Sequence, residues 1–485
     1  MAKDSRFDVH MSADLDDAQP DGAAKDDGSF SIAILGDFAA RAHRGAADTA
    51  GAVKTPLAKR RALRIDRDDV DVILERLSPR LELAIDPSEP PIAITFKALD
   101  DFHPDRLVER APIFQQLRQM REQLASGGEG PQRESRPQSR SDRRGADAAA
   151  LLSGGSLLDQ IVGGDQGDSS AERVRGVSPR DELAEFVERA VRPHAVAEAT
   201  AEQKGMLVKV DEVIAATMRV VLHHPDFQAL EALWRGVDFV VRRLDTDESV
   251  QVYLVDVTKD ELIASLAATA PISRWSLVAA AYSFGPDDVA TLGRLASLGA
   301  AIGAPIIAAA DPRLAGTMSF GGDPDPDEWT IPSPPAWNAL RSAADASFLG
   351  LAAPRFLARV PYGKRSDECT FAPFEEIPPA NEAHESYLWA NPALLCALAI
   401  GESVSAGDPP ATHATVDGLP VYVATVDGEP TVKPCAEALL TQRAVAHMLD
   451  RGLTPLATER DGDAIRLSRL QSVAMPPRPL SVPNR

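Results

Sequence analysis

Apolar positions fall along the chain in short, nearly continuous runs and in stripes at helical spacing. The runs are 30–35, closed by Gly36-Asp37-Phe38, then 250–257, 275–284 and 305–310, the last closed by Asp311-Pro312. Runs of this length between turn residues predict strands buried on most of their surface. The stripes predict helices that turn one face to a core. Val70, Ile73, Leu74 and Leu77 follow a capping Asp66, and Phe114, Leu117, Met120 and Leu124 follow Pro112. Farther on come Val213, Ile214, Met218, Val221 and Leu222, then Leu230, Leu233, Trp234, Val237, Val240 and Val241, then Val289, Leu292, Leu295 and Leu298 behind Asp287. Pro104 suits the first turn of a further helix. Strand, helix, strand, helix, strand at this spacing predicts a right-handed parallel α/β sheet.

Shorter signals fill in the rest. Stretches 81–85 and 92–96 flank a Pro-rich turn as two strands would, and 414–416 and 421–426 flank the turn Asp417-Gly418-Leu419-Pro420. A Gly/Pro/Asp-rich loop at 321–335 leads to a helix over 337–346. Helical spacing predicts a helix over 435–451 and alternation a last strand over 465–473.

Composition divides this pattern into stretches. Residues 1–28 carry eight Asp against three basic residues, which makes an acidic tail. Within it Arg6, Phe7, Asp8, Val9, His10 and Met11 alternate polar and apolar. Both a strand lying against something else and a leader without fixed structure fit that alternation. Residues 29–125 read as one compact unit. Residues 126–180 read as a flexible linker, because 126–150 holds no Val, Ile, Leu, Met or aromatic residue and cannot bury enough surface to order itself. Inside that linker Leu157, Leu158, Ile161 and Val162 form a small apolar group. A linear docking motif and a short helix packed on its own domain fit it equally. From 181 to 485 the chain is domain-like again, and Leu183, Phe186 and Val187 begin its helical spacing. The expected fold is α/β, in two units joined by the linker, with a parallel-containing sheet in the larger.

Charge narrows the function. Of 485 residues 51 are Lys or Arg and 72 are Asp or Glu, a net charge of −21. Such a chain lacks the basic face that nucleic acids and anionic membranes require. No apolar run approaches membrane-spanning length and the N-terminus has no signal-peptide pattern, so a cytoplasmic protein is expected. Cys369, Cys396 and Cys435 are too far apart for a zinc ribbon or a disulfide scaffold.

Candidate chemistry is sparse. Gly36 and Gly285 each follow a strand, but neither has the further glycines or the lysine of a phosphate-cradling loop. His223 and His224 are adjacent and would point about 100° apart on a helix, which suits a capped helix break rather than a shared metal. The acidic loop 323–328 contains two prolines and no glycine at the turn a calcium loop needs. No nucleophile motif occurs, so neither catalysis nor a cofactor is expected. What recurs is arginine beside aromatic residues and turns: Trp234-Arg235-Gly236, and Arg355, Arg359 and Tyr362 within 353–363. Guanidinium groups placed so in an acidic protein pair with specific carboxylates, within a domain or across an interface.

These segments resemble the contractile sheath proteins of the bacterial type VI secretion system. The stretch 223–236, with 258–262, 351–363, 374–376 and 387–391, resembles the large sheath subunit in order from about 157 to 473. Stretches 5–9, 34–38 and 95–104 resemble the small sheath subunit. The resemblance implies a small–large fusion that pairs, stacks into a helical tube around an inner tube protein, and is stitched by strands donated between subunits. On that view Arg6, Phe7, Val9 and Met11 belong to a donated strand. Leu157, Leu158, Ile161 and Val162 would be read by the family's AAA+ disassembly ATPase, and baseplate components become possible partners. The family's large subunit continues past the segment matching 471–473 with the region that accepts a neighbour's strands, which this chain is expected to lack. A sheath subunit and a truncated paralogue that caps, nucleates or regulates the sheath both remain open at this point.

Overall fold

The buried runs of the sequence meet side by side. The computed structural model describes residues 29–43, 61–85, 90–125, 199–246, 249–269, 275–378, 383–426, 429–459 and 462–483. In chain order its main elements are β1 (Phe30–Gly36), β2 (Leu63–Ile65), α1 (Val70–Leu77), β3 (Arg80–Leu83), β4 (Ile92–Thr95), α2 (Pro104–Arg110), α3 (Pro112–Ala125), α4 (Ala199–Leu222) and α5 (Pro225–Arg243). There follow β5 (Val250–Asp256), α6 (Leu262–Thr269), β6 (Leu277–Phe284), α7 (Val289–Ile302), β7 (Ile306–Ala310), α8 (Pro312–Ala315), α9 (Pro335–Arg341), β8 (Leu349–Ala353) and β9 (Phe356–Leu357). The last are β10 (Trp389–Ala390), α10 (Pro392–Ser405), β11 (Ala414–Val416), β12 (Tyr422–Val426), β13 (Glu429–Lys433), α11 (Gln442–Asp450), β14 (Thr454–Thr458) and β15 (Ile465–Leu467).

Nine strands form one mixed sheet in the order β11-β15-β14-β8-β7-β6-β1-β5-β2. The six from β14 to β5 are parallel, while β2 at one edge is added antiparallel, as are β15 beside β14 and β11 at the other edge. β1 lies inside this sheet, matched to β5 from Phe30↔Val250 to Gly36↔Asp256 and to β6 on its other side. All seven of its residues are buried. Alternate side chains serve two cores, as the period of two requires. Phe30, Ile32 and Ile34 join the core formed with α4, α5 and α10. Ala33 and Leu35 join the one formed with α6, α7, α9 and α11. Helices thus cover both faces, and this is why the central strands read as continuous apolar runs rather than alternating ones.

Several expectations change. Two units were expected, yet β1 and β2 of the 29–125 stretch belong to the sheet of the larger stretch. Among the described residues of the first stretch, β3–β4 alone makes a separate pair. The linker 126–180, the tail 1–28 and the positions Leu183, Phe186 and Val187 lie outside the described residues. β11 pairs with β15 and β12 with β13, not with each other. The expected helix from 435 starts at Gln442, where Thr441 accepts from the Ala444 N–H, because Cys435 and Ala436 run extended beside β9. The helix at 337–346 ends at Arg341 and continues as a short 3-10 turn over Ala344–Phe348. The last strand ends at Leu467. The capped break at His223-His224 is present: His224 Nδ1 accepts from the Asp226 N–H at 3.2 Å and Pro225 opens α5. Asp66 does not cap α1 directly; Asp69 holds the N-cap position and Asp66 accepts from the Asp68 N–H.

Candidate functional site

The arginine motifs converge. On α5, Glu231 and Arg235 stand one helical turn apart and pair at 2.7 Å. Arg359 enters from the segment after β9 and places its guanidinium between two carboxylates. Its Nε donates to Glu231 Oε1 at 2.7 Å and its Nη1 to Glu376 Oε2 at 2.7 Å, while Nη2 reaches the second oxygen of each. Tyr362 closes the group. Its ring lies 4.0 Å from the Arg359 guanidinium carbon, its hydroxyl accepts from Arg235, and its N–H donates to Glu376. Glu231 and Glu376 are almost completely buried, with side chains 0% and 2% exposed.

Burial pushes the Glu231 carboxyl up, but the charges of Arg359 and Arg235 and their hydrogen bonds more than offset it and hold the group below its ordinary range. Burial likewise works against the charged form of Arg359, and Glu231 and Glu376 reverse that, so the guanidinium stays firmly protonated. With both carboxylates filled by guanidinium and amide donors, the group has no base free to take a proton from a substrate. It joins α5, the 359–362 segment and the 374–376 loop into one rigid clasp.

The same clasp touches the first stretch of the chain. His103 sets its ring edge-on to Tyr362 with centroids 4.9 Å apart. Asp105 accepts from the N–H groups of Thr370 and Phe371. Trp234 Nε1 donates to the Phe38 carbonyl at 3.2 Å, and the two rings meet edge to face. Gly236 is needed for close approach: a Cβ there would stand 2.4 Å from Leu394 Cδ1 of α10. Of the motif residues, Arg235, Arg359 and Tyr362 thus share one network, and Trp234 and Gly236 are packing positions beside it. Glu231 and Glu376 complete the network and carry no sequence signal of their own beyond being acidic residues near it.

Arg355 belongs to a second group. Its Nη2 donates to Glu437 at 2.7 Å and to Glu385 at 2.9 Å, its N–H donates to Glu437, and His384 Nε2 lies 3.0 Å from the same carboxylate. The ligating atoms of His384, Glu385 and Glu437 lie within 4.8 Å of one another, a spacing that suits a metal ion. Arg355 already supplies positive charge to both carboxylates, so the residues fit an ion pair better than a metal. This group borders a cavity of about 420 Å³ past the ends of β6 and β7, floored by Ala281, Ala309 and Phe320.

In open α/β sheets ligands sit beyond the carboxyl ends of the strands. Here ion pairs stand at the ends of β5, β6 and β7, beside the cavity. Arg41 pairs with Asp256 and Glu261, Lys259 with Asp288, and Arg313 with Asp311 and Asp287. After β6, a Cβ on Gly285 would stand 2.8 Å from the Arg313 guanidinium, so the turn holds a side chain where a phosphate loop would leave space. Arg6, Phe7, Val9, Met11, Leu157, Leu158, Ile161 and Val162 lie outside the described residues. No helix of the described residues is long and apolar enough to cross a membrane.

Comparison with known proteins gives three matches. Residues 204–285 and 275–474 match the family model described as EvpB/VC_A0108, tail sheath N-terminal domain. Residues 3–127 match the one described as Type VI secretion system, VipA, VC_A0107 or Hcp2. The chain is also similar to the type VI secretion system sheath protein TssC1 of Pseudomonas aeruginosa (strain PAO1). The two are 29% identical over 349 residues, 61% of this chain and 69% of that protein.

Proposed function

Since the chain belongs to the type VI secretion system sheath proteins, with a small-subunit-like part followed by a large-subunit-like part, we propose that it is a structural subunit of a contractile sheath. It works by assembly rather than catalysis, in the cytoplasm, forming a helical tube around an inner tube protein. The observation that carries this reading is β1. It comes from the stretch matching the VipA model and is hydrogen-bonded along its length between β5 and β6 of the stretch matching the tail-sheath model. The two parts therefore make one covalent building block in fixed one-to-one ratio.

Neighbouring blocks are joined by strand donation through Arg6, Phe7, Val9 and Met11. Backbone hydrogen bonds provide the grip in such a joint, and alternate side chains set the register. A head-to-tail contact that does not close on itself extends into a filament. Contraction is then a switch between two packings of the same rigid blocks. Leu157, Leu158, Ile161 and Val162 form the segment read by an AAA+ disassembly ATPase after contraction, and the tube begins on baseplate components. Negative-stain electron microscopy of the purified chain, alone and with other sheath components, tests the reading. Tubes containing the chain along their length are expected; a protein that never enters a tube refutes it.

A further inference from the structure

The order of the sheet marks a crevice that assembly leaves unused. After β1 the chain adds β5 on one side and then β6, β7 and β8 on the other. Open α/β sheets hold ligands beyond the strand ends at such a reversal. The cavity of about 420 Å³ lies there, a size that suits a small molecule. Leu233, which crowds Gly36 at the end of β1, bounds it on one side, and Pro354 and Arg355 past the end of β8 bound it on the other. The sheet is distorted at its wall. From Ala279 to Ser283 β6 advances four residues while β7 advances two, from Ile307 to Ala309, and Ala281 and Ser283 both line the cavity. Bulges gather beside functional sites because they re-aim side chains. Trp389 lines the cavity as a fixed ring, its Nε1 donating to the His384 carbonyl at 2.9 Å and its ring stacked on that of His384.

Charge excludes the phosphates and nucleotides that such crevices commonly hold. At these strand ends Arg41, Arg313 and Arg355 are each shared by two carboxylates, and Lys259 is matched by Asp288. The N-terminus of α10 is closed to an anion too, since Asn391 Oδ1 accepts from the Ala393 N–H at 3.0 Å. In the cavity wall itself Arg355 stands against both Glu385 and Glu437. Hydrogen bonds and the Arg355 charge hold Glu437 ionised, so this wall keeps one negative charge in excess. Glu385, with its side chain 70% exposed, is the accessible carboxylate of the two. We propose that the cavity binds a small organic cation, an amine or guanidine on an apolar body. The body rests on Ala281, Ala309 and Phe320, and the charged nitrogen lies between Glu385 and the Trp389 ring. A carboxylate accepts such N–H donors at about 2.7–2.9 Å, and an aromatic face attracts the same charge. This binding is independent of assembly into a tube.

The test is isothermal titration of the full chain with tyramine, tryptamine and agmatine. Tyrosol and 3-(4-hydroxyphenyl)propanoate serve beside tyramine as its neutral and anionic counterparts. At least one of the three cations should bind, and tyramine should bind at least tenfold more tightly than either counterpart. Glu385→Gln, at an exposed position, should weaken the cations at least tenfold and leave tyrosol unchanged, a difference that general damage to the cavity would not produce. Ala229→Phe, which fills the cavity from an exposed position on α5, should weaken every ligand. Thermal melting of both variants, expected near the wild type, shows that they fold; if Ala229→Phe melts early, Glu385→Gln alone decides. Binding of all three cations weaker than about 1 mM, equal binding of tyramine and its carboxylate counterpart, or cation binding unchanged in Glu385→Gln overturns the proposal. Each of these results leaves the sheath reading standing, since that reading is decided by tubes in electron micrographs.

Discussion

Replacing Arg359 by Ala removes the one cation that both buried carboxylates share. Glu231 keeps Arg235 at 2.7 Å, so its loss is partial. Glu376 keeps only the Tyr362 N–H at 2.8 Å, with His223 Nε2 next at 3.8 Å. An almost fully buried carboxylate left without a counter-charge costs about 3–5 kcal/mol. Near the middle of that range the folded-to-unfolded ratio falls about a thousandfold. Arg359→Lys retains the charge but not the fork that reaches four oxygens, and its cost lies between wild type and Ala. Urea unfolding followed by circular dichroism at pH 7 measures these differences. The Ala variant should also recover relative to wild type as pH falls, since a carboxyl raised by burial penalises folding above its unfolded value and ceases to do so once protonated. A loss below 1 kcal/mol at pH 7, or a loss that does not change between pH 7 and 4, would show that the clasp is not an obligatory buried ion pair.

Gly452 sits at φ 81°, and a Cβ there would stand 2.8 Å from Arg341 Nε and 2.9 Å from the Val473 carbonyl; Gly452→Ala should cost about 1–3 kcal/mol in thermal unfolding. Burial works to raise the Glu437 carboxyl, yet hydrogen bonds from His384 and Arg355 and the Arg355 charge hold it down at about 2, against an ordinary 4.5. Because the folded value is the lower one, this group's stabilisation is complete above about pH 4.5 and is lost as pH falls towards 2; Glu437→Gln should flatten that part of a stability–pH profile. Val9→Pro should reduce tube formation in sedimentation while leaving the melting temperature unchanged, since proline removes a ladder donor. Leu158→Asp should abolish pull-down by the disassembly ATPase with the fold intact.

Much of the sheet was legible because its central strands are buried on both faces, so 30–35, 250–257, 275–284 and 305–310 stand out as apolar runs. Two central strands escaped for local reasons. β8 is small and glycine-bearing, Leu-Gly-Leu-Ala-Ala, and β14 contains Pro455 beside β8. α10 is buried on every side from Pro392 to Gly401, so it shows no helical period at all. The neighbour of β1 was also beyond reach, since pairing across the chain depends on packing rather than on local pattern. At the clasp the arginines were visible through their aromatic neighbours. Their partners were not, because Glu231 looks like an ordinary helix-surface residue until Arg359 arrives from 128 positions away.

The position of β1 has a consequence for the chain's birth. Just past that strand, the Ala39 N–H donates to the Asp256 carboxylate, its partner across 217 residues. At ribosomal speeds of about 5–20 residues per second, β1 leaves the ribosome roughly 10–40 s before β5 exists. During that interval a ribbon apolar but for Ser31 has no native neighbour on either side. Whatever shelters it in the cell governs the yield of finished subunits, and a slower codon stretch ahead of β5 would lengthen the wait.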